Sequence, residues 1–212
     1  GDESDIGTLT HEMGHAFQGW ESQHIEAVYL QWPTSDAAEV HSMGMEYLSL
    51  PYLTEFFDDE QVAKFTRTRW SRGIHLLCYC CSVDAFQTWV YEHPSASPNE
   101  RDAEWMRLQD LYLPGIDWSD DAAEYQPTRW YAQMHIFRLP FYYIDYAIAE
   151  TGAMQFGMLD TEDHERCLET YIALCELGGT KSVTKLFASA GLRSPFDPAV
   201  MRDLMEYAES KL

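Results

Sequence analysis

The sequence predicts an all-α protein with little or no β-sheet. Helix start and stop signals recur along its 212 residues, and no stretch of useful length alternates apolar and polar residues as a half-buried strand does. Hydrophobic residues make up 46% of the chain, enough for a globular protein with a sizeable core. We interpret residues 1–212 as a single helical domain without internal repeats or low-complexity segments.

Four helices are predicted in the first half of the chain, at about 5–22, 35–50, 58–93 and from Ser97 onward. Thr34-Ser35-Asp36 offers an N-cap and an acidic first turn for the second helix. The third begins at Asp58-Asp59-Glu60 and ends near His93-Pro94, and the fourth has Pro98 at its first position, where a missing N–H costs nothing.

The second half begins with a turn-rich acidic segment, residues 113–127, that we interpret as a loop. Further helices are predicted at about 140–158, 161–177, 181–190 and 198–210. Pro140 suits a first helical turn, which would place His135 in the preceding loop. Tyr142 and Tyr146 would then share one helical face.

Charge and cysteine content exclude several classes of protein. The net charge of −21 repels phosphate backbones, so we expect no nucleic-acid partner. Cationic peptides would be attracted, but the favoured interpretation is that the acidity serves solubility alone. No run of about 18 apolar residues predicts a membrane span. Five cysteines without a framework spacing indicate reduced thiols and a cytoplasmic protein. Cys78-Tyr79-Cys80-Cys81 is interpreted as part of a buried helix rather than as a metal knuckle.

The most informative motif is His11-Glu12-Met13-Gly14-His15, an HExxH pentapeptide. With 8 histidines and 19 glutamates in the chain, roughly 0.03 copies would arise by chance. Four residues apart on a helix, His11 and His15 share a face and can bind one Zn²⁺, and Glu12 is then positioned to take a proton from an attacking water. The uncharged residues around the pair predict a helix buried beneath the metal.

A hydrolytic zinc site usually has a third protein ligand. The pattern HExxHxxGxxH is excluded because positions 18 and 21 hold Gln18 and Glu21. A glutamate from a second helix is the alternative, and Glu39 is the best candidate. The rival ligands are the side chains of Asp36, His41 and His24. Glu46 lies on the same helical face as Glu39 and could accept the second ring N–H of a ligand histidine, although a solvated position is nearly as plausible.

Several segments together resemble the thimet oligopeptidase and oligoendopeptidase F family of zinc peptidases, most closely its bacterial oligoendopeptidase F and Pz-peptidase branch. The segments are His11–Gln18, Trp32-Pro33, Ala38–Met43 with Glu46, Val83–Gln87, Val90–Glu92, Pro140–Tyr146 and Gly178–Ser182. The resemblance extends over nearly the whole chain. It implies a helical, zincin-like catalytic domain, one Zn²⁺ per chain and Glu39, in Glu39-Val40-His41-Ser42, as the third ligand.

The family's enzymes are longer than this chain, which corresponds to their C-terminal catalytic part. Because the sequence opens at Gly1, ten positions before the motif, we expect a fragment whose partner is the missing N-terminal half. By resemblance, His135 and Tyr146 bind substrate and stabilise the transition state. The family's other tyrosine is replaced by Leu139, so the second phenol is Tyr142, Tyr143 or absent, and these aromatics could instead pack a core.

The glycine pair Gly178-Gly179 has two interpretations, a helix C-cap and turn or, by resemblance, a loop that lines the substrate cleft. Gly152 is interpreted as a close contact between helices. The leading functional hypothesis is an endopeptidase that cleaves short peptides, with Glu12 as general base. The alternatives are a binding module or incomplete half without turnover, and a zinc hydrolase of non-peptide amides.

Overall fold

The computed structural model describes residues 3–118 and 120–212. Gly1 and Asp2 of the predicted domain and Ser119 of the predicted loop lie outside the described residues. The α-helices of the described chain are α1 (Glu3–Glu21), α2 (Ser35–Leu48), α3 (Asp59–Glu92), α4 (Pro98–Tyr112), α5 (Met134–Arg138), α6 (Ile144–Glu162), α7 (His164–Glu176), α8 (Val183–Ser189) and α9 (Pro198–Glu209). Three short 3-10 helices cover Ser22–His24, Val28–Leu30 and Leu50–Glu55 of the described chain, and a longer one covers Asp120–Ala132. No strand occurs in these residues, which confirms the all-α prediction.

Local sequence explains where several helices begin. Ser97 and Glu100 form a reciprocal capping box at the start of α4, with Pro98 in its first turn as predicted. The Asp163 side chain accepts the backbone N–H of Arg166 at the start of α7, and Asp197 caps α9 in the same way. Each cap satisfies an amide that the helix itself leaves without an acceptor.

The chain divides into two compact units, residues 1–74 with 148–212 and residues 75–147. In the first unit, α1 packs on α2 at Gly14, where an added Cβ would lie 2.6 Å from the carbonyl oxygen of His41 and from Cα of Ser42. The core of this unit is formed by fully buried residues of α2, α6, α7, α8 and α9, including Tyr47, Phe156, Tyr171, Phe187 and Leu204. The predicted close contact at Gly152 is confirmed, since a Cβ there would meet Phe187 at 2.8 Å.

The second unit has its own aromatic core of Val83, Phe86, Trp105, Leu108 and Trp130. Two polar contacts support it: Gln109 Nε2 donates to Ser82 Oγ at 3.0 Å in a buried contact, and Trp130 Nε1 donates to Asp102 Oδ1 at 2.9 Å in a partly buried one. All five cysteines are free thiols. Cys80 is fully buried as expected of a core residue, whereas Cys78 and Cys81 are only partly buried.

Three sequence predictions were wrong in detail. The expected loop over residues 113–127 is in part the 3-10 helix Asp120–Ala132, because Trp130 is buried and its indole N–H is bound by Asp102 on α4. Tertiary contact therefore orders a segment whose local sequence contains only turn signals. The motif helix α1 is also less covered than expected, since the Leu9 and Met13 side chains remain about half exposed.

The third difference concerns residues 134–144. His135 lies in the short helix α5 rather than in a loop, and α6 begins at Ile144, so Pro140 is not in its first turn. Phe141 has φ of 64°, a left-handed conformation that a helix cannot contain, and its N–H is bound by Gln87 Oε1 at 2.9 Å. This contact with α3 separates α5 from α6. The described helices include none long and apolar enough to span a membrane.

Candidate metal centre

Two histidines on α1 lie close to one carboxylate oxygen of a glutamate on α2. Glu39 Oε2 lies 3.3 Å from His11 Nε2 and 3.4 Å from His15 Nε2. The two histidines come together because they are four residues apart on α1, and Glu39 faces them because Gly14 lets α2 approach the backbone of α1 closely. Within the described residues, His11, His15 and Glu39 form the cluster whose donor atoms lie within 4.8 Å of one another.

The dimensions of this cluster fit a zinc ion. With zinc-to-ligand distances of about 2.0–2.1 Å, the ligand atoms of a tetrahedral site are about 3.3–3.4 Å apart. The two Nε2-to-Oε2 distances fall in that range. Two imidazoles and one carboxylate are also a donor set that leaves a fourth position open, as catalytic zinc sites do. Glu12 is exposed and does not belong to the cluster.

Glu39 is 7% exposed and is held in its ionised form by its neighbours. Burial by itself would raise the pKa of this carboxyl, but contacts with His11 and His15 and the Ser42 hydroxyl lower the pKa far below its usual range. Ser42 Oγ donates to Glu39 Oε2 at 2.9 Å. The ionised form is the one that can bind a cation.

A second carboxylate orients the first histidine. Glu46 Oε1 lies 2.7 Å from His11 Nδ1, the contact that the sequence indicated as one of two possibilities. With an acceptor at Nδ1, the neutral form of the ring, which is the form that binds a metal, carries its proton there and has its lone pair on Nε2, the nitrogen that lies near Glu39. Burial lowers the pKa of His11, but Glu39 and Glu46 outweigh it and raise the pKa to about 9. The two carboxylates together therefore attract positive charge to this point.

Behind Glu46 lies a buried ion-pair network. Arg69 donates two 2.9 Å hydrogen bonds to Glu150, which is fully buried, and Tyr47 donates a third at 2.7 Å. Arg69 Nε is 2.8 Å from Glu46 Oε2, although its N–H is not directed at that oxygen, so this contact is electrostatic rather than a directed hydrogen bond. Burial would lower the pKa of Arg69, but Glu150, Tyr47 and Glu46 raise it, so the guanidinium stays charged.

No sequence motif indicated a role for Arg69, Glu150 or Tyr47. A usable signal was present, because Glu150 is the only charged residue between Ala147 and Leu159 in an otherwise largely apolar helical stretch. A carboxylate in such a position is buried only if it is paired. Its partner could not be found from sequence, since Arg69 is 81 residues away on α3.

The three rival ligands lie outside the cluster. Asp36 accepts a hydrogen bond from Thr34 at the start of α2, and exposed His24 has its Nδ1 2.9 Å from the carbonyl oxygen of Glu21. His41 is 1% exposed, and burial lowers its pKa to about 3, so it is a neutral core residue. Its Nδ1 lies 3.5 Å from Cys175 Sγ.

In the second unit, His135 lies among three tyrosines. Its ring centroid is 4.9 Å from that of Tyr143, 5.9 Å from that of Tyr142 and 6.1 Å from that of Tyr146. Tyr142 and Tyr146 are close as predicted, with hydroxyls 3.5 Å apart, although Tyr142 precedes α6. Burial raises the pKa of Tyr143 well above its usual value, so this phenol stays protonated. The cluster brings together the four residues that the sequence indicated here, His135, Tyr142, Tyr143 and Tyr146.

The glycine pair after α7 packs against backbone. Gly178 has φ of 48°, and a Cβ there would lie 2.6 Å from the carbonyl oxygen of Leu30. Gly179 donates its N–H to the same oxygen at 2.7 Å, and a Cβ on it would meet the carbonyl of Trp32. The helix-ending turn is therefore present, and close approach of the Leu30–Trp32 segment requires both glycines.

These observations define a helical protein with an HExxH-type centre of two histidines and one carboxylate on adjacent helices. The family model described as Peptidase family M3 matches residues 2–206, and the chain belongs to that family. No match was found among curated proteins.

Solved structures agree with this assignment. A structure of Pz peptidase A with an inhibitor is 38% identical, with a TM-score of 0.92, over 99% of this chain and 37% of its own. A protein assigned as oligoendopeptidase F is 40% identical, again with a TM-score of 0.92 and the same coverage. A similar protein from Bacillus anthracis is 37% identical, with a TM-score of 0.84, over 99% of this chain and 34% of its own. The chain thus spans about a third of the length of the structures it matches.

Proposed function

We propose that this chain carries the catalytic centre of a zinc-dependent endopeptidase that hydrolyses internal bonds of short peptides. The observation that carries the proposal is the convergence of His11, His15 and Glu39 at separations that suit tetrahedral zinc, with Glu12 left outside the cluster. Membership of Peptidase family M3 and the likeness to Pz peptidase A and oligoendopeptidase F support peptides as the substrate class.

The chain's own residues would have separate roles in metal binding, proton transfer and ligand orientation. His11, His15 and Glu39 would hold one zinc ion, which when bound supplies Lewis acidity that lowers the pKa of water and polarises a carbonyl. Glu12 accepts the proton of the attacking water and returns it to the leaving amine, a role that requires a free, exposed carboxylate. Glu46 holds the tautomer of His11 that presents Nε2.

The oxyanion formed by attack on the peptide carbonyl needs hydrogen-bond donors. We assign this role to His135 and Tyr146, with Tyr142 as the second phenol. The contact between the Tyr142 and Tyr146 hydroxyls supports Tyr142 over Tyr143, because burial holds Tyr143 within the aromatic core of its unit. The free thiols and acidic surface support a cytoplasmic protein that attracts cationic peptides.

Replacement of Glu12 by Gln tests the proposal. We expect Glu12→Gln to bind one zinc per chain, measured by elemental analysis, and to lose hydrolysis of an internally quenched fluorescent peptide. Glu209→Gln, which changes an exposed glutamate at the end of α9 in the same way, should keep wild-type activity. Cleavage that persists in Glu12→Gln, or that resists a chelator in the wild type, would contradict the proposed chemistry.

A second candidate is a zinc-binding half that needs a complementary polypeptide for turnover, or a binding module. The observation in its favour is that the chain spans only 37% of Pz peptidase A. Proximity and exclusion of water both depend on a complete active site. One bound zinc without peptide cleavage would support this candidate, and one bound zinc with chelator-sensitive cleavage would exclude it. Cleavage of small acyl amides but not of peptides would instead indicate an amide hydrolase.

A further inference from the structure

The Gln133 side chain bridges Tyr79 and His135 within the second unit. The Tyr79 hydroxyl donates to Gln133 Oε1 at 2.9 Å, and Gln133 Nε2 lies 2.7 Å from His135 Nδ1. A carboxamide has one accepting end and one donating end. With its oxygen bound by the Tyr79 hydroxyl, its NH₂ group faces the histidine ring.

This arrangement determines which ring nitrogen carries the proton. An NH₂ group can only donate, so His135 Nδ1 must accept and cannot carry a hydrogen on that side. The neutral imidazole then bears its hydrogen on Nε2. His11 in its neutral form has the opposite tautomer, with the hydrogen on Nδ1, because its Nδ1 faces the carboxylate of Glu46.

The bridge is held at both ends. Gln133 precedes the first turn of α5, its N–H is bound by the carbonyl of buried Trp130 at 3.1 Å, and its own carbonyl accepts the N–H of Ile136. Tyr79, on α3, packs edge-to-face on Trp105 and on Tyr143. Both partners are therefore anchored in the aromatic core of the unit, and the amide has little freedom to turn over.

We propose that Gln133 is a positioning residue that holds His135 as the Nε2–H tautomer, so that Nε2 is a hydrogen-bond donor to the substrate carbonyl oxygen. The donor role rests on the proposed peptidase function, whereas the tautomer does not. The sequence shows that Gln133 is two residues before His135, close enough for their side chains to meet. Only the fold shows that Tyr79 orients the Gln133 amide.

Nitrogen NMR of the full chain tests the tautomer without any turnover. In ¹⁵N-labelled protein, with the His135 signals assigned from their loss in His135→Asn, we expect a protonated Nε2 and an unprotonated Nδ1. Gln133→Glu keeps the shape but places an acceptor at Nδ1, so the proton should move to Nδ1. Tyr79→Phe frees the amide to turn over and should give a mixture of tautomers. Gln23→Glu, at an exposed site, should change nothing.

An Nδ1–H tautomer in the wild type, or an Nε2–H tautomer unchanged in both Gln133→Glu and Tyr79→Phe, would overturn the proposal. Peptide hydrolysis tests the donor role separately. Gln133→Glu should lower kcat by roughly 10²–10³-fold, the loss typical of one oxyanion donor, with zinc content unchanged. If the tautomer switches while kcat is unchanged, the donor role is wrong. If the wild type shows the expected tautomer but cleaves no peptide, only the proposed function fails.

Discussion

Replacement of Arg69 by Met should strongly destabilise the first unit. Arg69 donates two 2.9 Å hydrogen bonds to a Glu150 carboxylate that is 0% exposed. Charge-assisted hydrogen bonds contribute about 1.5–3 kcal/mol each, and removal of one partner from a buried ion pair costs about 3–5 kcal/mol. Of the three hydrogen bonds that Arg69 and Tyr47 donate to Glu150, only the one from the Tyr47 hydroxyl would remain after the change. We therefore expect a loss of about 3–5 kcal/mol in the free energy of unfolding.

Urea unfolding followed by far-UV circular dichroism measures this loss. With a slope of about 2 kcal/mol per molar urea, the midpoint should fall by roughly 1.5–2.5 M. Arg193→Met is the matched control, because Arg193 pairs with Asp203 with both side chains about half exposed, and it should cost at most about 1 kcal/mol.

A double variant separates loss of a contact from burial of an unpaired charge. Arg69→Met with Glu150→Gln removes the isolated carboxylate and should be at least about 1 kcal/mol more stable than Arg69→Met alone. If Arg69→Met costs no more than Arg193→Met, the network carries little of the stability and the reasoning is refuted.

Three further predictions concern the metal site, the α1–α2 contact and alkaline pH. Glu46→Gln should weaken zinc binding about 10–100-fold in competition with a chromogenic chelator, because a carboxylate no longer accepts the Nδ1–H of His11. Gly14→Ala should destabilise by roughly 1–3 kcal/mol in urea, because its Cβ would meet α2 backbone at 2.6 Å. Burial raises the pKa of the Cys167 thiol from 9.0 to about 12. As the pH rises, the thiol therefore ionises in the unfolded chain before it ionises in the folded one. The free energy of unfolding should fall by about 1.4 kcal/mol from pH 7 to pH 10 on account of this thiol.

Each of these predictions has a contrasting variant or result. Unchanged zinc affinity in Glu46→Gln would mean that the Glu46 carboxylate does not strengthen metal binding by His11. Gly7→Ala, whose Cβ would have a single neighbour at 4.0 Å, should be neutral or slightly stabilising, and an equal loss at both glycines would argue against a specific clash. Cys167→Ala should lose less stability than the wild type between pH 7 and pH 10, and identical losses would remove the thiol as the cause.

The limits of sequence reasoning are clearest around His135. Local signals located its aromatic neighbours correctly, but they placed Pro140 at a helix start, and α6 begins at Ile144. The cause is the contact between Gln87 on α3 and the N–H of Phe141, which no local pattern encodes. The same applies to Gln133, whose function depends on Tyr79, 54 residues earlier in the chain.

The sequence by itself determined the helical class, the start of most helices, the family and the three candidate ligands. Those features depend on residues a few positions apart, such as the histidines on one face of α1 or the capping box of α4, or on a motif that is rare by chance. Only the tertiary structure decided which side chains contact the candidate ligands and the other site residues. Three contacts show this: Arg69 pairs with Glu150, Glu46 is the partner of His11, and Gln133 bridges Tyr79 and His135. Each of them joins residues at least 35 positions apart in the sequence. Buried polar groups must find partners, but packing alone decides which partners are within reach.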